Sequence, residues 1–70
     1  MMKTKDLLNS LPDYSLGYLK ALRSDMRKAE SAGDHVLAGN LKAEGRGYIR
    51  CLEGCGVIDN FGTLWCWFTL

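Results

Sequence analysis

Seventy residues, 47% of them hydrophobic and 24% charged, describe one small domain spanning 1–70 and exclude a second one. Nine Lys and Arg against eight Asp and Glu leave a formal net charge of +1, so no global field drives the chain onto nucleic acid or an anionic membrane. A chain this short buries only about 60% of its unfolded surface, which leaves a thin margin for a lone monomer.

Residues 4–9 are expected to form one helical turn that tucks Leu7 and Leu8 onto the body. Ser10, Pro12 and Asp13 then read as a helix start, with Ser10 as cap, Pro12 in the first turn and Asp13 as the acid of a capping box. A long amphipathic helix comes next, ending near Ala32. Its apolar side holds Leu11, Tyr14, Tyr18, Leu19, Leu22, Met26 and Ala29, with Lys20, Arg23, Ser24, Arg27 and Lys28 opposite. Gly33 suits the left-handed position past the helix end, and Asp34 caps the next helix.

The second long helix, His35 to Gly54, has three faces. Leu37, Leu41, Tyr48, Leu52 and Cys55 make a large apolar stripe, while His35, Lys42, Arg46 and Glu53 make a polar one. Gly39, Ala43, Gly47, Cys51 and Gly54 make a third face of small residues. Gly39, Gly45 and Gly47 each cost about 1 kcal/mol relative to alanine inside a helix. Close approach of another backbone, or of a ligand, would offset that loss; a helix break at 45–47 is the alternative.

Residues 54–59 read as a turn: Cys55 and Gly56 finish the helix, Val57 and Ile58 plug the core, and Asp59 caps the last helix. The final stretch, FGTLWCWFTL, favours strand by propensity, but a lone strand has no sheet to join, so a short helix is expected. Phe61, Leu64, Trp65 and Phe68 share one side of it, and Trp67 lies about 200° from Trp65. Such a helix is apolar all round and needs cover on more than one side. The fold class is therefore all-α: an antiparallel hairpin of two long helices plus short N- and C-terminal helices. Homo-oligomerisation is expected to shelter the tail, with Trp65, Trp67, Phe68 and Leu70 packing along the Gly39, Ala43 and Gly47 stripe of another copy.

Cys51, Cys55 and Cys66 are odd in number, and MMKTKDLL lacks an apolar core for a signal peptide, which points to a thiol-reduced, intracellular protein. Leu64 to Phe68 is the longest apolar run, where a bilayer span needs about 20 residues. The thiols together with His35 do not fit a zinc spacing, because Cys51 and Cys55 are not in a CxxC knuckle. Neither metal nor cofactor is expected, and the cysteines read as small buried hydrophobes.

Two basic clusters remain as candidate sites. Lys20, Arg23, Arg27 and Lys28 form a row suited to phosphates of a nucleic acid. Arg46 and Arg50 lie close in angle on the second helix while Tyr48 points to the opposite side, so the three meet around one phosphorylated or nucleotide ligand only across two subunits. Catalysis is not expected: His35 has no carboxylate or thiol partner in sequence, and neither a phosphate loop nor a pair of acids in an apolar setting is present.

The string GYIRCLEGCGVID, then LWCWFTL, from Gly47 to Leu70, resembles small proteins encoded by phages and prophages of Gram-positive bacteria. Their pattern is a helix carrying GYL-ALxxCG, a valine-isoleucine turn, an acid and a short helix ending in an aromatic run. They usually carry more charge between the positions of Asp59 and Leu64, where this chain has the neutral Asn60, Phe61, Gly62 and Thr63. The resemblance implies a viral origin and a cytoplasmic setting in an infected bacterium. It also implies a small non-catalytic binding protein. The expected role is counter-defence, either by occupying a host immune protein as anti-CRISPR proteins do or by sequestering a signalling nucleotide. A small DNA-associated regulator using Lys20, Arg23 and Arg27, and a structural or assembly protein, are the alternatives.

Overall fold

The computed structural model describes residues 4–70 as four helices in the order α1 (Thr4–Ser10), α2 (Asp13–Ser31), α3 (His35–Gly54) and α4 (Phe61–Thr69). All described secondary structure is helical. Helices α2 and α3 form the hairpin, and their order is antiparallel: Tyr18 meets Tyr48 and Glu44 near one end, while Ala29 and Ala32 lie beside Leu37 near the turn. The 35 Å long axis of the molecule is close to the length of α3, which at 1.5 Å per residue is about 30 Å.

Both ends of this frame are set by local turn chemistry. Past α2, Gly33 adopts φ 76°; its N–H donates to Glu30 O at 3.1 Å and that of Asp34 to Ala29 O at 2.9 Å. Past α3, Gly56 adopts φ 78°, its N–H donating to Glu53 O at 3.0 Å and that of Val57 to Leu52 O at 2.9 Å. Each is a Schellman closure, which needs a residue free to take positive φ and satisfies carbonyls that the helix leaves open. Asp34 then caps α3, its Oδ1 accepting from Leu37 N at 3.0 Å.

Two expected caps fall elsewhere. Asn60, not Asp59, caps α4, accepting from Thr63 N at 3.0 Å. Ser10 closes α1, its hydroxyl donating to Leu7 O at 2.7 Å, and α2 starts at Asp13 behind Pro12 without a side-chain cap. Proline disfavours helical backbone at the residue before it, so Leu11 separates the two helices and drops its side chain into the core.

The core draws on every helix: Leu7, Leu11, Leu19, Leu22, Met26, Ile49, Leu52, Ile58, Leu64 and Phe68. On α3 the inward line is Ala38, Gly45, Ile49 and Leu52, with Leu41 and Tyr48 half-buried beside it. Leu37 and Cys55, expected on that stripe, are exposed because the inward direction lies towards Gly45. Tyr14 is 80% exposed for the same kind of reason: Ser15, one position on, takes the inward place and accepts a hydrogen bond from Tyr48 Oη at 2.9 Å.

The neighbours of α4 are α3, α1 and α2. Leu64 and Phe68 enter the core, while Trp65 and Trp67 are half-buried on opposite flanks. Phe68, expected at an interface between copies, is a core residue with no exposed surface. Its ring sits in the hollow that Gly45 leaves, where an added Cβ would overlap the ring tip. Close packing against a helical glycine thus occurs at Gly45, with a side-chain ring in place of the expected backbone or ligand. Gly39 and Gly47 have open space where a Cβ would stand. No helix among the described residues is long and apolar enough to cross a membrane.

Candidate functional site

Seating Phe68 against Gly45 brings Trp65, one turn earlier on α4, onto a flank of α3. There Gly39, Lys42, Ala43 and Arg46 share one side at helical spacing and, with the Trp65 indole, line a shallow groove of about 210 Å³. Lys42 and Arg46 are exposed and one turn apart, and among the described residues neither forms an ion pair. The aromatic wall continues along α4: Phe61 stacks on Trp65 at 6.0 Å between centroids, and Trp65 on Phe68 at 5.9 Å. Gly39 and Ala43 keep the floor of the groove low.

Arg50 and Tyr48, expected to join Arg46 around a ligand, are held elsewhere. The Arg50 guanidinium lies 3.7 Å over the Phe61 ring centre and pairs with Glu53 Oε1 at 3.1 Å. Tyr48 lies in the other seam of the hairpin, its ring 4.7 Å from that of Tyr18 and its hydroxyl on Ser15. Within one chain only Arg46 of the three reaches the groove. Lys42 and Trp65 complete the set; the sequence signal for the first is its place one turn before Arg46, beside the small pair Gly39 and Ala43.

The row on α2 is divided in a similar way. Arg23 Nε donates to Trp67 O at 3.0 Å and its Nη2 to Leu70 O at 3.2 Å, while the guanidinium lies 5.0 Å from the Trp67 ring centre. Arg27 Nη2 also donates to Leu70 O. Both cations thereby close the carbonyl end of α4, where helix dipole and open acceptors favour positive charge. Lys20 and Lys28 remain exposed without them, so the row is not one continuous phosphate-facing strip.

Among the described residues two titratable groups are perturbed. Tyr18 Oη donates to Glu44 Oε1 at 2.9 Å, and that hydrogen bond, then partial desolvation and the carboxylate charge, raises the phenol above its ordinary pKa. Cys51 is raised by a hydrogen bond with the Cys55 thiol, then by that neighbour's charge and by desolvation. All three cysteines are exposed free thiols, contrary to the expected burial, because each lies off the inward line of its helix. Among the described residues no three His, Cys, Asp or Glu side chains converge on a metal position.

A second shallow groove, of about 370 Å³, opens near the hairpin turn between Asp25, Lys28, Ala29, Ala32, Asp34, Leu37 and Leu41. No family model, curated protein or solved structure matches the chain.

Proposed function

We propose that the protein is a small non-catalytic binding protein whose Lys42, Arg46 and Trp65 groove takes a planar, phosphate-bearing ligand of the nucleotide class. One observation carries this reading: two exposed cations, without carboxylate partners among the described residues, share a groove with an indole. A guanidinium fork beside an ammonium suits phosphate oxygens, and an aromatic side chain suits a base. The groove is shallow and open to water, which fits holding a ligand more than shielding a reaction. The resemblance of residues 47–70 to phage proteins supplies the setting: a counter-defence factor that sequesters a signalling nucleotide, or occupies a host immune protein, in the cytoplasm of an infected bacterium.

Isothermal titration with AMP and, separately, inorganic phosphate tests the reading. AMP binds the wild type more tightly than phosphate does, and Arg46→Ala weakens both by about tenfold or more. Trp65→Leu weakens AMP alone, and Lys20→Ala, outside the groove, changes neither. Equal losses at Lys20 and Arg46 would reduce the effect to diffuse charge and remove the groove as its seat.

Self-association is a second reading, favoured by the flank of the hairpin that α4 leaves uncovered. Tyr14 is 80% and Leu37 46% exposed there, and the Leu37 groove carries both an acid and a base, Asp25 and Lys28, as a self-complementary contact requires. Trp65, Trp67, Leu70 and the Gly39, Ala43 and Gly47 stripe stay partly or fully accessible as a further contact area. Sedimentation equilibrium gives a dimer or larger that Leu37→Glu dissociates; a monomer at micromolar concentration rules the reading out.

A further inference from the structure

Cys51, in the last turn of α3, and Cys55, the C-cap that follows it, stand one helical turn apart, both exposed, and neither lines the Lys42 and Arg46 groove. Free cysteine is ordinarily among the most buried residue types, so packing does not account for an exposed pair. Gly47 and Gly54, one turn before and nearly one turn after Cys51, have open space around them and leave the approach to the thiols clear.

Spacing and donor count decide what such a pair can do. Side chains at i and i+4 have Cβ atoms about 5–6 Å apart, whereas a disulfide needs about 3.5–4.5 Å. An intact helical turn therefore favours one ion bridging the two sulfurs over their direct bond. No third His, Cys, Asp or Glu among the described residues joins them, so the four-donor set of structural zinc is incomplete. A soft cation satisfied by two thiolates remains, and copper(I) is the common one.

We propose that Cys51 and Cys55 form a two-thiolate site for copper(I). Both S–H bonds break as two Cu–S bonds form, and the two protons pass to solvent. Copper stays in its monovalent state, so no oxidant or reductant is consumed. Cys66, on α4, takes no part.

Anaerobic titration of the reduced protein with copper(I), in competition with the chromophoric chelator bicinchoninate, tests the site. Wild type and Cys66→Ser withdraw one copper per chain, while Cys51→Ser and Cys55→Ser bind at least about 100-fold more weakly, loss of a direct ligand exceeding the usual effect of an outer partner. All four proteins give the same helical circular dichroism, because the substituted positions are exposed. The proposal is overturned if wild type withdraws no copper, if Cys66→Ser loses as much as the other two, or if loaded protein elutes as a dimer sharing one ion.

Discussion

The α2–α3 hairpin has two long flanks, and they are held by different chemistry. On the flank that α4 covers, an aromatic ring fills the hollow of a glycine, and Arg23 reaches the main-chain oxygens at the end of the added helix. On the uncovered flank, α2 meets α3 through hydrogen-bonded tyrosines: Tyr18 on Glu44, Tyr48 on Ser15, with the two rings in contact at a 55° tilt. Where a third layer is present the hairpin gains from displaced water and close packing. Where water reaches the seam, amphipathic rings bury their bodies and keep their hydroxyls paired. Beside α4 itself the cations differ: Arg23 is taken up by its carbonyl end, while Arg46, next to Trp65, forms no ion pair among the described residues.

The largest expected effect breaks the covered flank while leaving the rest of α3 alone. Gly45→Ala places a methyl group inside the Phe68 ring, and overpacking of this kind costs about 1–3 kcal/mol, only partly offset by the helix preference of alanine. Gly39→Ala on the same helix meets nothing and gains up to about 1 kcal/mol. Urea melts of the two variants should therefore shift in opposite directions. Equal stabilisation by both would mean that α4 does not rest on Gly45.

That contrast also marks how far the sequence can be read. Helix ends are legible at Gly33, Asp34 and Gly56, because a positive φ and an aspartate cap are local requirements carried by the residue itself. The bounds His35 and Gly54 fall as expected for that reason. The inward line of α3 is legible only in part: Leu52 is buried and Leu41 and Tyr48 half-buried as expected, but size alone also favours Leu37 and Cys55, whereas the chain turns inward Gly45, since its partner is a bulky ring of α4. Phe68 escapes a sequence reading for the same cause, as nothing local to α4 says that α3 holds a matching hollow. The groove is legible only in Arg46. Its indole comes from another helix, and whether a cation is free or already engaged is decided by contacts between elements, as the opposite fates of Arg46 and Arg23 show.

A smaller effect sharpens the picture of the uncovered flank. Tyr18 gives its proton to a hydrogen bond with the Glu44 carboxylate, so folding favours the neutral phenol and the pKa lies above its ordinary 10.0. A raised folded value means that the contribution of this pair is fully present below the unfolded pKa and is lost as pH rises through the folded one. Phenolate absorbance titrations of wild type and Tyr18→Phe, taken as a difference, isolate this ring from Tyr14 and Tyr48. Tyr18 should ionise above the ordinary 10.0, and Glu44→Gln, which keeps an acceptor but removes the charge, should bring it back towards that value. Because the pair is exposed, the same substitution should move the melting temperature little at neutral pH. If Tyr18 titrates at its ordinary value, the hydroxyl is bonded to water in solution, and the flank without α4 is held by the ring contact and the Tyr48–Ser15 hydrogen bond.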